Sequence, residues 1–193
     1  MAVELQVGPP TDFGEYERVS IAFEVRSRLR IKPAKRGLGG LLFTEEPVVP
    51  PWWKDYDDFP GNRLSDWARR WNIARWGMVR AQDFGRRLVG GAIVAVHTPG
   101  LLMLADRPDR AALWDLRVQP ALRRQGIGQA MFWAAALWAR EQGCRELTIE
   151  TQDINVPACR FYAAQGCELI AVVRDAYPDV PDEAQLIWRL PLR

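Results

Sequence analysis

The run Arg123-Arg124-Gln125-Gly126-Ile127-Gly128-Gln129-Ala130 constrains the fold of this chain more than any other stretch, because of what flanks it. Upstream lies an apolar run, Ala111 to Val118, closed by Pro120; downstream a periodic stretch extends from about Gly126 to Gln142. The order reads as strand, glycine loop, helix. A helix start presents backbone N–H groups without intrahelical partners at the positive end of the dipole, so main chain alone can hold an anion there. Glycine lets the anion come close because no Cβ stands in the way. Arg123 and Arg124 either add charge at the loop's edge or are solvated surface side chains. In the helix, Ile127, Met131, Ala134 and Trp138 predict one apolar stripe against a sheet, and Gly143 a left-handed cap at its end.

Two common anion loops do not fit. A P-loop needs Lys-Ser or Lys-Thr after its last glycine to reach terminal phosphates and magnesium, and here Gly128 is followed by Gln129-Ala130. A dinucleotide fold wants a third glycine in an early βαβ unit, and this loop comes late in the chain.

Around the loop the chain reads as an α/β alternation. The pattern predicts strands Glu146 to Thr151, Cys167 to Arg174 and Ala184 to Leu190, and a helix Val156 to Gln165 capped by Gly166. Earlier, Ile21 to Ile31 alternates as a half-buried strand with Phe23, Val25, Ser27, Leu29 and Ile31 on one side, and Leu41 to Phe43 reads as a second strand. Pro47 to Asn62, rich in proline and carrying Trp52, Trp53, Asp55, Asp57 and Asp58, reads as a surface loop with an aromatic anchor. A short helix Leu64 to Ile73 and a hairpin of Gly77 to Gln82 with Arg86 to His97, turning at Asp83-Phe84-Gly85, complete the pattern.

At 193 residues the chain suits a single domain, 1–193, with a binding core about 111–175. A formal net charge of +2 is too small for a nucleic-acid footprint, so no nucleic acid partner is expected. The longest apolar runs, Leu88 to Val96 and Ala130 to Ala139, are about half of what a membrane helix needs, and no membrane partner is expected either. The N-terminus does not read as a secretion signal, which makes the cytoplasm the expected location. Cys144, Cys159 and Cys167 have no paired spacing or nearby histidine, so they read as small buried hydrophobes and no metal is expected. His97 reads as an ordinary strand-end residue.

The Arg123–Ala130 run resembles the Gln/Arg-x-x-Gly-x-Gly/Ala motif of the GNAT acetyltransferases. A second run, Asn155-Val-Pro-Ala158-Cys-Arg-Phe161-Tyr162-Ala-Ala-Gln-Gly166, is similar to that superfamily's Asn-x-x-Ala-x-x-Phe-Tyr-x-x-x-Gly segment. Within the superfamily, Glu150-Thr-Gln-Asp-Ile-Asn155 leading into these residues looks like the streptothricin acetyltransferases. Weaker similarity extends through Phe23-Glu24-Val25, Phe43-Thr44-Glu45, Tyr177 and Trp188. The likeness is good over residues 111 to 190 and thin before them; Cys167, where an aromatic residue often follows the glycine, departs from the pattern.

The resemblance implies a GNAT fold, α/β (α+β), with a mixed, mostly antiparallel central sheet flanked by helices. It implies acetyl-CoA as acetyl donor, its pyrophosphate held by Arg123, Arg124, Gln125, Gly126, Ile127, Gly128, Gln129 and Ala130, with Asn155, Ala158 and Phe161 also at the cofactor. Main chain of Leu116, Arg117 and Val118 would border the acetyl arm, the Val118 N–H polarising the thioester carbonyl. Tyr162 would protonate the leaving thiolate, an ordinary core tyrosine being the other reading; Asn155 is equally placed for a helix N-cap. Asp115 and Glu150 are the two candidates for general base, Glu150 favoured, and either could instead bind a cationic substrate or pair with Arg117. The expected acceptor is a small-molecule primary amine, streptothricin-like; the alternatives are an amino acid, polyamine or protein amine, or a non-catalytic acetyl-CoA sensor. Glu45, Glu46, Asp55, Asp57 and Asp58 could line an acceptor site or be surface charge, and Trp52 and Trp53 could stack on a substrate or simply pack. A homodimer is the family-based expectation.

Overall fold

The structure, a computed structural model, describes residues 3 to 193. In chain order its elements are β1 (Glu4–Gly8), α1 (Phe13–Glu17), β2 (Phe23–Pro33), β3 (Leu41–Lys54), α2 (Leu64–Arg70), β4 (Gly77–Gln82) and β5 (Leu88–Ala95). Then follow β6 (Arg110–Val118), α3 (Ile127–Glu141), β7 (Glu146–Gln152), α4 (Val156–Ala164), β8 (Glu168–Val173) and β9 (Gln185–Pro191). The chain divides into two compact units. The first comprises the described residues up to Ile21, with Asp55–Ile149 and Arg189–Arg193; the second comprises Ala22–Lys54 and Glu150–Trp188.

In the first unit the strand order is β1-β4-β5-β6-β7. β1 to β6 pair antiparallel in that order, and β6 pairs parallel with β7 from Arg110↔Glu146 to Leu113↔Ile149. The expected mixed, mostly antiparallel sheet is present. β5 is buried along its whole length, which its near-continuous apolar sequence anticipates. α3 lies across β4, β5 and β6, and its buried stripe of Met131, Phe132, Ala135, Ala136 and Ala139 is broader than the sequence spacing suggests. Small alanines let the helix sit close to the sheet. Trp138 packs over Gly77 so tightly that a Cβ there would stand 2.7 Å from its ring.

On the other face of β5, Gly91 faces Tyr16 of α1; a Cβ at Gly91 would lie 2.5 Å from the Tyr16 ring. The same side carries a core cluster that includes Tyr16, Leu64, Trp67, Trp76, Met78 and Ile93. Four tryptophans gather there: Trp114 meets Trp67, Trp71 and Trp76 with centroid distances of 6.1, 5.3 and 5.9 Å. Trp76 also donates its indole N–H to the Thr98 hydroxyl at 2.7 Å, so its polar edge is satisfied inside the core.

In the second unit β2 and β3 form an antiparallel hairpin, and the strand order elsewhere is β7-β9-β8. Val25 and Ile31 on β2 are buried while Arg26 and Arg30 are exposed, as the alternation predicts. The expected proline-rich loop from Pro47 to Asn62 is corrected, because β3 continues to Lys54. The register explains this. It slips between Val25↔Trp52 and Ser27↔Pro47, so Pro50 and Pro51 fall in a bulge where no ladder N–H is required of them.

Smaller boundary shifts follow the same logic: the helix at Leu64 ends at Arg70, a 3-10 turn covers Ile73–Arg75, and the second hairpin strand spans Leu88–Ala95. The short elements β1 and α1 carry too few residues for a legible period. Cys144, Cys159 and Cys167 are free and buried, as expected of small core side chains, and burial pushes the Cys159 thiol up to about 11. Gly143 and Gly166 adopt the left-handed conformation expected behind their helices. No helix among the described residues is long and apolar enough to cross a membrane.

Candidate functional site

The glycine loop occupies the expected place between β6 and α3 in the first unit. Gly126 is the N-cap of α3 with φ 84° and ψ −9°, a left-handed conformation that costs glycine little, and it offers no side chain to cap the first turn. The first intrahelical bond runs from Ala130 N–H to the Gly126 carbonyl at 3.0 Å. Arg124, Gln125, Gly126, Gln129 and Ala130 are exposed, Gly128 is half-buried, and Ile127 is buried as the loop's anchor. The helix start is therefore open to solvent with its dipole intact, the arrangement an anion needs.

Arg123 does something the sequence did not suggest. Its Nε donates to the Val118 carbonyl at 2.9 Å and its Nη2 to the Ser20 carbonyl at 2.8 Å, which ties the loop to the end of β6. Burial lowers its pKa from the ordinary arginine value. Its role is to shape the loop, while Arg124 stands exposed with φ 65° at the loop's crest.

β6 carries the next part of the site. The Gln119 N–H donates to the Val89 carbonyl at 2.9 Å, and Arg117 lies across from Gly91 on β5. Peptide groups alternate sides along a strand, so the N–H groups of Leu116 and Val118 point away from β5. The parallel register with β7 has already ended at Leu113↔Ile149. Between the two registers Trp114 is an extra residue, since Ile93 faces Asp115 and Val94 faces Leu113. This bulge redirects the strand just before its outward N–H groups.

Asp115 sits in a closed network. Its Oδ2 accepts from the Tyr16 hydroxyl at 2.8 Å and from Arg117 Nε at 2.7 Å; Arg117 in turn holds Asp57 with Nη1 at 2.9 Å and Nη2 at 3.2 Å. The Arg117 guanidinium also lies 4.8 Å from the centre of the Tyr16 ring. Asp115 Oδ1 is buried without a hydrogen-bond partner among the described residues. Burial pushes the Asp115 carboxyl above its ordinary range against the pull of Arg117, and burial with the neighbouring charge pushes Tyr16 well up. The pairing of Asp115 with Arg117, one of the readings open in the sequence, is present in the geometry.

The second unit carries the other sequence-identified residues. Asn155 caps α4, its Oδ1 accepting from the Ala158 N–H at 3.2 Å, with Pro157 in the first turn. Ala158 and Phe161 are half-buried, and Tyr162 is buried with its ring edge-on to Phe161 at 5.1 Å. Asp153, just before the helix, is bound by Arg28 at 2.6 Å and accepts the Ala184 N–H at 2.9 Å, which locks the connection between β7 and α4.

Glu150, on β7 in the same unit, is half-buried. Its Oε1 accepts from the Tyr177 hydroxyl at 2.5 Å and its Oε2 from Gln185 Nε2 at 2.7 Å. Burial raises its pKa, and the bonds from Tyr177, Gln185 and Gln152 pull it back. The surrounding groups are neutral, so this carboxylate keeps its affinity for a proton or a cation. Sequence reasoning assigned no role to Gln185 or to Tyr177, whose partnership with Glu150 leaves no local pattern. Of the other acids, Glu45 pairs with Arg160, Glu46 with Arg30 at 3.1 Å, and Asp55 caps the Asp57 N–H at 3.0 Å. They have structural partners of their own. Trp53 is well exposed on β3.

The site elements are thus a strand–glycine loop–helix unit on a mixed sheet in the first unit and an Asn-capped helix in the second. The model of the Acetyltransferase (GNAT) family matches residues 42–167, and the chain belongs to that family. Among its relatives is the streptothricin acetyltransferase of Streptomyces lavendulae, 30% identical over 146 residues, 76% of this chain and 72% of that protein. Streptothricin acetyltransferase A of Bacillus subtilis (strain 168) is 36% identical over 80 residues, 40% of this chain; the match spans 46% of that relative's length. A protein from Bacillus anthracis str. Ames, solved in complex with acetyl coenzyme A, shares the fold with a TM-score of 0.76 at 21% identity, over 98% of this chain and 99% of that one.

Proposed function

We propose that this chain is one acetyltransferase domain that transfers the acetyl group of acetyl-CoA to a primary amine of a small molecule, and that the acceptor is of the streptothricin class. The observation that carries the reading is the exposed start of α3 at Gly126, an N-cap with no side chain of its own, immediately downstream of a strand whose Leu116 and Val118 N–H groups are turned away from their neighbour. The family assignment and the streptothricin acetyltransferases among the relatives supply the acceptor class.

Each step has a residue suited to it. The loop from Arg123 to Ala130 would hold the donor's pyrophosphate by main-chain N–H groups, as a glycine N-cap permits. The Val118 N–H would polarise the thioester carbonyl. Glu150 would accept the proton of the attacking ammonium, a task that its burial-raised pKa favours, while Asp115 is held by Tyr16 and Arg117 and would support β6. The neutral amine nitrogen then forms the new C–N bond and the C–S bond breaks; Tyr162 would give its proton to the departing sulfur and be restored by the second proton that the nitrogen sheds as the amide forms. Asn155, Ala158 and Phe161 would complete the donor side from α4. Cytoplasmic residence and a homodimer belong to the same proposal, and cell fractionation and light scattering test them.

The experiment is thiol release from acetyl-CoA by the purified protein with streptothricin, lysine, spermidine or an aminoglycoside as acceptor. Fast release with streptothricin, and one added acetyl mass on its lysyl arm, is the expected result. Release with another amine replaces the acceptor class; saturable acetyl-CoA binding with no release moves the reading to a sensor.

A further inference from the structure

Glu150 has both carboxylate oxygens engaged by donors from segments distant in sequence. Tyr177 lies on the connection between β8 and β9 and reaches Oε1 at 2.5 Å, and Gln185 opens β9 and reaches Oε2 at 2.7 Å. That connection is built to deliver them. Val180 N–H bonds the Tyr177 carbonyl at 3.2 Å, Glu183 N–H bonds the Val180 carbonyl at 2.9 Å, and Asp153 and Ala184 exchange bonds at 3.0 and 2.9 Å.

Gln152 gives the network a direction. Its Nε2 stands 3.1 Å from the Tyr177 hydroxyl oxygen and 3.5 Å from Glu150 Oε1. A phenol oxygen that accepts an amide N–H turns its own hydrogen to its other neighbour, and that neighbour is Glu150. The groups facing the carboxylate are thus Gln152 on its own strand, Tyr177 on the connection and Gln185 on β9, and Tyr177 is the titratable one among them. Burial first, and then the Glu150 charge, push the Tyr177 hydroxyl well above its ordinary value, so it remains a neutral donor.

We infer that Tyr177 is a positioning residue for Glu150: its hydroxyl orients the carboxylate and supplies a hydrogen bond to its charged form, leaving the remaining lone pairs for the acceptor ammonium. The inference rests on the reading of Glu150 as the base. Without the phenol, Oε1 retains a single long contact to Gln152, and the charged form loses its shortest hydrogen bond.

The test follows the Glu150 side-chain carboxyl by 13C NMR in wild type and Tyr177→Phe, with the resonance assigned by its loss in Glu150→Gln. It is paired with the pH profile of kcat/KM for streptothricin and acetyl-CoA. Tyr177→Phe keeps the ring and is expected to raise the titration midpoint by about one unit, a tenfold change in the ionisation constant, and to move the acidic limb of the profile by the same amount. Gln185→Leu should move the resonance in the same direction, and it keeps the test open if Tyr177→Phe folds poorly. A midpoint that neither variant moves overturns the inference. A midpoint that moves while the acidic limb stays, or full turnover in Glu150→Gln, removes Glu150 as the base and leaves Tyr177 with no part in the reaction.

Discussion

Arg117 grips Asp57 with two parallel hydrogen bonds, Nη1 to Oδ2 at 2.9 Å and Nη2 to Oδ1 at 3.2 Å, while its Nε holds Asp115. One buried guanidinium thus connects β6 to the turn that follows β3 at Asp57. Arg117→Met leaves two carboxylates without their counter-charge, and a loss of about 3–5 kcal/mol in urea unfolding is expected. Arg117→Lys keeps the charge without the fork and should fall between the two. A loss below about 1 kcal/mol for the methionine variant would mean that the network contributes little.

Glu150 should make stability depend on pH with a defined sign. Its folded pKa is raised, chiefly by burial, so between the unfolded and folded values the native state binds more protons than the unfolded one. Stability contributed by this group is complete below the unfolded value near pH 4.3 and declines as pH rises through the folded one. The melting temperature of Glu150→Gln minus that of wild type should therefore increase from pH 4 to pH 8. A constant or falling difference would contradict the raised pKa.

Gly91 is constrained by contact rather than by its backbone angles. A Cβ would lie 2.5 Å from Cε2 of Tyr16, whose hydroxyl holds Asp115. Gly91→Ala should cost about 1–3 kcal/mol through overpacking. In the background of Tyr16→Ala the same substitution should be nearly free, and a double-mutant cycle by calorimetry measures the coupling. Additive losses would show that the two residues do not clash.

Trp114, the extra residue of β6, has its ring held by Trp67, Trp71 and Trp76. Trp114→Ala should cost about 3–5 kcal/mol, and Trp114→Phe distinctly less. If the clamp also sets the aim of the Leu116 and Val118 N–H groups, the alanine variant will lose the preference for acetyl-CoA over CoA, read by isothermal calorimetry. Lower stability with an unchanged preference would confine Trp114 to the core.

Local patterns were legible where a segment's own residues set its conformation. The α3 and α4 helices, their glycine stops at Gly143 and Gly166 and the strand before the loop fall within a residue or two of the expected bounds. β3 was not legible beyond Phe43, because Pro47, Pro50 and Pro51 read as loop residues until β2 supplies a ladder, with Pro47 opposite Ser27 and Pro50 and Pro51 in a bulge. Arg123 reads in sequence as either edge charge for an anion or a solvated side chain, and its two bonds to main-chain carbonyls come from folding the loop back on β6 and Ser20.

The chain's own order of residues determined the strand–loop–helix unit and the capped helix at Asn155, since helix starts, left-handed glycines and apolar periods are set by neighbours a few positions apart. The different surroundings of Asp115 and Glu150 lay beyond its reach. Both are acids on strands of similar composition, and their difference lies in partners 99 residues away at Tyr16 and 27 and 35 residues away at Tyr177 and Gln185. Tertiary packing set their surroundings apart: the Tyr16 hydroxyl closes the Asp115–Arg117 pair inside the core, and the neutral donors Tyr177 and Gln185 hold Glu150 half-buried.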